Sequence, residues 1–322
     1  MVGDAGHNVR LLVRDAARLQ SSAQPIGVDT SDVAIGDITD ADSVARALDG
    51  CDAVVHCAAV VATDPRRASE VLETNLAGAR HVLGGAADLG MDPVVHVSSI
   101  TALFTPRLDR MHADLPVTGG TDAYGRSKAA VDRYARDLQD RGVPVVITYP
   151  GMVLGPPAGV QFGEVADGVE TVLKTGIVPG RDAAWTLVDV RDLAAVHAAL
   201  LAPGRGPRRY MAGGNHLTAA EVAQALREAT GRHLALVPVP GGVLRSLGRT
   251  ADLVSRVVPL HLVLTEAAMQ YYTQMPPSDD RPSQRDLGAT YRPPAETLRA
   301  TIGGLARVGR ITNRQAGNAL PN

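Results

Sequence analysis

A tyrosine and a lysine stand four residues apart in the segment YGRSK, at Tyr124 and Lys128. If this segment is helical, the two side chains share one face, so the phenol and the ammonium can converge. A cation beside a phenol lowers the pKa of the tyrosine and makes it a usable acid or base near neutral pH. The chain has only two lysines, Lys128 and Lys174. The pair therefore indicates proton transfer, the alternative being a solvated surface pair.

Two serines end the apolar run PVVHVSS, at Ser98 and Ser99. In a doubly wound sheet the carboxyl ends of the strands face the ligand crevice. We expect one of these hydroxyls to hold a substrate oxygen, although a strand-end serine can instead be a turn or cap residue.

The elements that must position these side chains alternate along the chain. Apolar runs of strand length (HNVRLLVR, DAVVHCA, PVVHVSS and VPVVITYP) are separated by helical stretches, among them ASEVLETNLAGARHVLGGAADLG and the segment after TDAYGRSK. Continuous apolar strands with helical crossovers predict a parallel sheet covered on both faces. The fold class predicted is α/β, a doubly wound, Rossmann-like parallel sheet with a smaller, mainly helical C-terminal lobe.

The predicted domains follow this change in pattern. Residues 1–150, with a returning segment around 185–213, form the doubly wound domain, and residues 151–322 form mainly the smaller lobe. Within the lobe, Thr218 and Glu221 have the spacing of a capping box. The apolar segment 241–272 is expected to be helical and to cover a pocket, and the polar C-terminal residues from 312 onward are expected to be frayed.

Composition excludes several classes of protein. The formal net charge is −2 and no basic block is present, so we expect no nucleic-acid partner. No apolar run is long enough to span a bilayer and no leader pattern is visible, so we expect a cytoplasmic protein without membrane insertion. Cys51 and Cys57 lie at opposite ends of one predicted strand, too far apart to pair. No Cys/His spacing predicts a metal site.

Seven motifs occur in the order of a known family. They are GDITD, DAVVHCAA, the helix with Asn75, HVSS, YGRSK, YPGMVLGP and TLVDVRDLA. Between about His7 and Leu305 the chain resembles the extended short-chain dehydrogenase/reductase family. That family includes NAD(P)-dependent sugar epimerases and dehydratases, dihydroflavonol-type reductases and 3β-hydroxysteroid dehydrogenases.

The resemblance implies a catalytic set. Tyr124 would be the general acid/base, and Lys128 would bind the nicotinamide ribose and tune the tyrosine. Ser99 would hydrogen-bond the reacting oxygen, with Ser98 or Thr101 as alternatives. Asn75 matches the helix asparagine of the same set.

The resemblance also implies cofactor contacts. These are Asp37 and Ile38 at the adenine, Ala58 and Ala59 where the backbone passes the cofactor, and Pro150 and Gly151 beside the nicotinamide. Asp189 lies in the motif that anchors the second lobe. Members of the family often dimerise through the helices that carry Asn75 and Tyr124, so a homodimer is possible on this resemblance.

The choice of cofactor depends on the end of the strand RLLV. A carboxylate there would accept the ribose hydroxyls of NAD, whereas an arginine can meet the 2′-phosphate of NADP. The chain has Arg14 followed by Asp15. We favour NADP over NAD; in the alternative, Arg14 is solvated and Asp15 takes the ribose.

The strand and glycine-rich loop that open the family's fold are not found in this sequence. The segment VGDAGHNVRLLVRD matches the end of the first helix, a turn and the second strand, so roughly 20 residues are absent by comparison with the family. We expect that Met1 is not the true start. In the alternative the chain is complete, the remaining strands close up, and cofactor binding is weak or lost.

The function expected is an oxidoreductase acting on a carbonyl or secondary alcohol of a small molecule. The segment SSITALF departs from the family's sugar enzymes and suggests an apolar pocket wall at Leu103 and Phe104. With the apolar segment 253–264 it favours a hydrophobic substrate, such as a sterol-like, flavonoid-like or aromatic carbonyl compound, unless these side chains are core packing. The alternatives are a nucleotide-sugar epimerase or dehydratase and a non-catalytic binding or regulatory protein.

Overall fold

A four-stranded parallel sheet forms the centre of the N-terminal part of the protein. The computed structural model describes residues 3, 6–61, 67–120, 122–160, 162–255 and 265–320. The sheet has the order β3-β4-β5-β9, and all its pairings are parallel. Its strands are β3 (Val54–His56), β4 (Val94–Val97), β5 (Val145–Pro150) and β9 (Arg208–Ala212). The returning segment thus adds β9 beside β5.

The N-terminal strands form a separate pair. β1 (Leu11–Val13) and β2 (Val33–Ile35) are parallel and belong to a two-stranded sheet of their own. Within the described residues no strand joins β1 to β3, so each of these two strands has one strand partner there. Both are largely half-buried, whereas β5 is buried along its whole length.

Helices cover both faces of the four-stranded sheet. Side chains of a strand alternate between its faces, so Val94 and Ile147 point to one side and Val95 and Val146 to the other. The first pair packs in a core with α2 (Ala41–Leu48), with the long helix formed by α3 (Ala68–Ala79), a π turn (Arg80–Gly84) and α4 (Gly85–Asp88), and with α5 (Ala123–Asp140). The second pair packs against α7 (Val190–Ala199). This confirms the doubly wound α/β fold.

One short helix follows β1, and another packs beside β9 and α7. α1 (Ala16–Ala23) begins directly after β1, with Asp15 as its N-cap. α11 (Arg281–Leu287) contacts β9 and α7. The described helices include none that is long and apolar enough to cross a membrane.

The C-terminal lobe has a small sheet and several helices. β6 (Met152–Leu154), β8 (Ala184–Asp189) and β10 (Asn215–Thr218) form a three-stranded sheet, and β7 (Ile177–Pro179) pairs with β11 (Ala235–Val237). The helices α6 (Glu164–Thr175), α8 (Ala219–Thr230) and α12 (Pro294–Arg307) enclose its core. The capping box of Thr218 and Glu221 opens α8, as its spacing predicts.

The apolar segment 241–272 is helical where it is described. It forms α9 (Gly241–Ser255) and the first part of α10 (Glu266–Gln274), and these two helices pack together. Residues 256–264, which the sequence assigns to the same apolar lobe, lie outside the described residues.

Residues 312–320 are ordered, contrary to the expectation of fraying, and residues 321 and 322 lie outside the described residues. A second capping box, Thr312 with Gln315, opens α13 (Asn313–Ala316). Ala316 and Ala319 are buried in the core of the lobe. In the sequence these two alanines lie among polar residues. Their helical spacing gives the segment an apolar face to bury.

Candidate active site

Helix α5 brings Tyr124 and Lys128 together. Asp122 is its N-cap and accepts a hydrogen bond from the Gly125 N–H at 2.9 Å. This cap fixes the residue at which α5 begins. Within its first two turns, the Lys128 ammonium lies 5.9 Å from the centre of the Tyr124 ring. This is the shared helix face that the four-residue spacing predicts.

Lys128 is buried against the sheet. Its side chain crosses to the end of β4, where the ammonium donates to the Val97 carbonyl at 3.1 Å. Burial lowers the pKa of Lys128 to about 8, and the charges of Cys57 and Asp132 oppose that shift. The lysine is thus a cation close to its titration point at neutral pH, with N–H groups left for a further acceptor.

The two strand-end serines have different partners. Ser98 donates to the buried carboxylate of Asp132 at 2.8 Å. The Ser99 hydroxyl oxygen accepts from the backbone N–H of Thr101 at 3.2 Å and from its hydroxyl at 3.0 Å. Because Ser99 accepts in both bonds, its own O–H is left to donate to another oxygen.

Asn75 links the segment after β3 to helix α5. Its amide oxygen accepts from the Val60 N–H at 2.7 Å, and its amide nitrogen donates to the Val60 carbonyl at 3.0 Å and to Ser127 Oγ at 3.1 Å. Ser127 in turn donates to the Tyr124 carbonyl at 2.8 Å. The asparagine therefore holds protein groups around the tyrosine.

Most of the proposed cofactor contacts follow the carboxyl ends of parallel strands. Asp37 and Ile38 follow β2, Ala58 and Ala59 follow β3, and Pro150 and Gly151 end β5. Ser98 and Ser99 follow β4 in the same way. The carboxyl ends of β3, β4 and β5 lie along one edge of the four-stranded sheet, which is where ligands bind in open α/β sheets, whereas β2 belongs to the separate two-stranded sheet.

Several of these residues are held by local contacts. Asp37 accepts from the Thr39 N–H at 2.9 Å and from its hydroxyl at 2.8 Å. The Ile38 side chain lies directly over Gly78 of α3, so a larger residue at 78 would displace it. A Cβ at Gly151 would clash with the carbonyls of Thr186 and Gly213. The backbone turn after β5 is therefore restricted to glycine.

The charged residues that follow β1 and the one that ends β8 make different contacts. Asp15 accepts from the N–H groups of Ala17 and Arg18 as the N-cap of α1. The Arg14 side chain is 75% exposed and lies 3.8 Å from the Asp37 carboxylate. Asp189 caps α7 and pairs with Arg191 at 2.8 Å, which makes it an anchor of that helix.

A buried polar cluster beside the site was not predicted from the sequence. Asp132 accepts from Arg136 Nε at 2.8 Å and from the Tyr149 hydroxyl at 3.1 Å, besides Ser98. Burial raises the pKa of Asp132, and Arg136, Ser98 and Tyr149 oppose that rise. Asp132 lies four residues after Lys128, so its spacing places it on the same helix face. No local pattern indicates that an acid at this position is buried.

Two histidines lie next to the lysine. His56 of β3 and His96 of β4 are paired in register, and their rings stack with centres 5.8 Å apart. Both are buried, and neither ring nitrogen of His96 has a hydrogen-bond partner among the residues that the structure describes. Burial, and then the charge of Lys128, lower the pKa of His56 to about 4. Both rings are therefore neutral at pH 7.

The apolar wall expected at Leu103 and Phe104 is not open to a pocket. Both side chains are almost completely buried, and Leu103 packs in the core beneath α5. The Phe104 ring meets Tyr271 of α10 edge to face, with centres 4.8 Å apart. These residues are core packing, so they give no support to a hydrophobic substrate. Of the segment 253–264, residues 256–264 lie outside the described residues.

The side chains present fit both ends of a dinucleotide. Lys128 has donors for a ribose, and the exposed Arg14 guanidinium can pair with a phosphate. The described residues include no glycine-rich turn that leads from a strand into a helix at this edge. They also hold no group of three or more metal-ligating side chains.

Comparison with known proteins gives a family match and several relatives. The model of the NAD dependent epimerase/dehydratase family matches residues 2–213. Sterol demethylase protein B of Methylococcus capsulatus is 29% identical over 253 residues, which cover 76% of this chain and 75% of that protein. Cinnamoyl-CoA reductase 1 of Oryza sativa subsp. japonica is 27% identical over 285 residues, or 82% and 83% of the two chains.

The fold also matches a solved structure over almost its full length. The UDP-glucose-4-epimerase from Stenotrophomonas maltophila has a TM-score of 0.75, with 18% identity over 96% of this chain and 94% of that one. At this identity the likeness supports the fold.

Proposed function

Because the chain belongs to the NAD dependent epimerase/dehydratase family, we propose that it is an NAD(P)-dependent oxidoreductase that interconverts a carbonyl and a secondary alcohol through Tyr124. The convergence of Tyr124 and Lys128 on one face of α5 carries this proposal. Ser99, with an O–H left to donate, supplies the third group at the same edge of the sheet.

The proposed residues divide the reaction between them. When bound, the nicotinamide cofactor supplies or accepts the hydride. In the direction of reduction, Tyr124 donates its proton to the carbonyl oxygen and Ser99 donates a hydrogen bond to that oxygen. The Lys128 ammonium stabilises the phenolate that remains. Asn75 and Ser127 hold the backbone around Tyr124.

We propose a hydrophobic carbonyl compound as the substrate. The support comes from the names of the relatives, a sterol demethylase protein and a cinnamoyl-CoA reductase. Residues 1–150 and the returning segment 185–213 would bind the cofactor, NADP in preference to NAD, and residues 151–322 would bind mainly the substrate. A nucleotide-sugar epimerase is the second candidate, which the family's name favours.

The variant Tyr124→Phe tests the proposal. It removes the proton donor and keeps the ring, so turnover of a reduced carbonyl should fall by about 10² to 10⁴-fold while NADPH affinity is retained. Steady-state kinetics with NADPH and a panel of a keto-sterol, cinnamoyl-CoA and a UDP-sugar would measure it. Tyr134→Phe is the matched control, because this tyrosine is on the same helix and faces Gly84.

The outcomes separate the candidate functions. Equal turnover of wild type and Tyr124→Phe would refute the assignment of the proton donor. Conversion of the UDP-sugar without net consumption of cofactor would favour the epimerase. Binding of NADPH by a chain that converts no member of the panel would favour a non-catalytic protein.

A further inference from the structure

Four side chains at four-residue intervals form one row along α5. They are Tyr124, Lys128, Asp132 and Arg136. Residues four apart lie one turn from each other on the same face of a helix. Lys128 and Asp132 are both buried, with 8% and 0% of each residue exposed. A buried cation therefore lies one helical turn from a buried anion, next to the proposed acid/base.

The carboxylate of Asp132 accepts three hydrogen bonds. Ser98 binds one of its oxygens, and Arg136 and Tyr149 bind the other. Arg136 is itself fixed by the Leu115 carbonyl at 3.0 Å, by the Ala113 carbonyl at 3.1 Å and by the Tyr149 hydroxyl at 2.8 Å. A buried carboxylate with such partners stays ionised in spite of the cost of burial.

Other titratable groups also face Lys128. His56 and His96 approach it from β3 and β4, and burial keeps both rings neutral at pH 7. Cys57 follows β3. Although it is exposed as a whole residue, loss of hydration at its sulfur raises the pKa of the thiol, so it is uncharged near neutral pH. Tyr124 lies on the same helix, one turn before Lys128.

These groups leave Asp132 to balance the charge of the lysine. Burial favours a neutral amine at Lys128, and the charges that oppose this effect are those of Cys57 and Asp132. With Cys57 present as a thiol, the Asp132 carboxylate supplies the opposing charge at pH 7.

We propose that Asp132 is a positioning residue of the active site, whose buried charge keeps Lys128 in its ammonium form while its bond to Ser98 fixes the end of β4. The first role determines whether Lys128 can stabilise the Tyr124 phenolate. The second places Ser99, because Ser98 is bound to Asp132 and the next residue is the proposed donor to the substrate oxygen. This inference rests on the proposed function for its kinetic consequence, but not for its electrostatic one.

The small number of lysines permits a direct test. With lysine labelled with ¹³C at Cε, NMR should show two side-chain signals, and Lys174→Arg identifies the one from Lys128. In Asp132→Asn the pKa of Lys128 should fall by about 1 unit or more, the size expected for loss of a nearby opposite charge. Tyr149→Phe keeps the carboxylate and should not lower this pKa. Asp137→Asn, an exposed acid on the same helix, is the matched control.

The kinetic readout follows from the same shift. If reduction needs the Lys128 ammonium, activity is present below the pKa of Lys128 and is lost as the pH rises through it. Asp132→Asn should therefore move the alkaline limb of the kcat/KM profile to lower pH by the same amount. A purely structural role would lower activity without moving this limb.

The results distinguish failure of this inference from failure of the proposed function. An unchanged Lys128 titration in a folded Asp132→Asn chain would overturn the inference, whatever the enzyme does. A shifted titration in a chain with no carbonyl reduction would uphold it and refute the function.

If Asp132→Asn does not fold, the double variant Asp132→Asn/Arg136→Gln removes both charges of the buried pair and leaves neither unpaired. It should show the same downward shift, because Asp132 is one turn from Lys128 and Arg136 is two turns away. Loss of fold in both variants would overturn the inference, since Asp132 would then be needed for the fold alone.

Discussion

Arg14 and Asp15 are adjacent in sequence, but their side chains make different contacts. The Asp15 carboxylate is committed to two backbone N–H groups at the start of α1. Arg14 is exposed, and its contact with Asp37 at 3.8 Å is a surface pair worth at most about 1 kcal/mol. An arginine held so weakly can turn toward a phosphate at little cost. At the scale of the residue, this exposed arginine supports the proposal of NADP as the cofactor.

Arg14→Ala should separate the two cofactors. We expect the affinity for NADPH to fall about 10-fold, the loss of one hydrogen bond to a charged group, and the affinity for NADH to change little. Fluorescence titration with each nucleotide would measure this. Arg205→Ala, at an exposed arginine before β9, is the control. Equal losses for both nucleotides would show that Arg14 does not read the 2′-phosphate.

At the scale of the element, the strands and helices around the central sheet hold three histidines whose pKa values are lowered by burial. His56 and His96 lie in β3 and β4, and His197 of α7 bonds Thr148 of β5 at 2.9 Å. Burial lowers the pKa of His197 to about 4, and that of His96 well below its ordinary value. The folded state therefore resists taking up protons that an unfolded chain binds below about pH 6.5.

Stability should consequently fall in mild acid. The contribution of each histidine is complete above the unfolded pKa near 6.5, and for His56 and His197 it is lost as the pH falls from there toward about 4. For His56 this amounts to about 3 kcal/mol. Urea unfolding between pH 4 and pH 8 would measure the slope. A flat stability curve between pH 4 and pH 6.5 would contradict this account.

His96→Leu tests the same point at one position. It removes two buried nitrogens that have no partner, so the variant should be as stable as the parent or more stable at pH 7. It should also lose less stability in acid. His112→Leu, at an exposed histidine, is the matched control.

At the scale of the whole molecule, the proposed site joins parts of the chain that are far apart in sequence. The edge of the four-stranded sheet collects the segments after β3, β4 and β5, and Tyr271 of α10 hydrogen-bonds Asp122, the N-cap of α5. An unfolded chain cannot present these groups together. A cofactor that binds them should therefore stabilise the native state alone.

NADPH should accordingly raise the unfolding temperature. At about 100 times its Kd the free energy of unfolding should increase by about 2.7 kcal/mol. Differential scanning fluorimetry against NADPH concentration would show the increase, with ATP at the same concentrations as a control for general anion effects. A folded chain with no shift at any concentration would mean that these segments do not form a nucleotide site.

Local patterns in the sequence determined the fold class and the central pair of the site. Apolar runs of strand length, helical spacing and cap residues act within a few positions, so they predict the parallel sheet, α5 and the capping box of α8 without tertiary information. The same holds for Tyr124 and Lys128, because one turn of helix is enough to bring them together.

The tertiary structure decided what each neighbouring residue is for. The bond from Ser98 to Asp132 spans 34 positions, and the bond from Asn75 to Ser127 spans 52. No local pattern encodes such contacts, so the sequence could not predict the different partners of Ser98 and Ser99 or a buried acid at Asp132. Burial likewise depends on what packs above a residue, which is why Leu103 and Phe104 are core residues and why residues 312–320 are ordered.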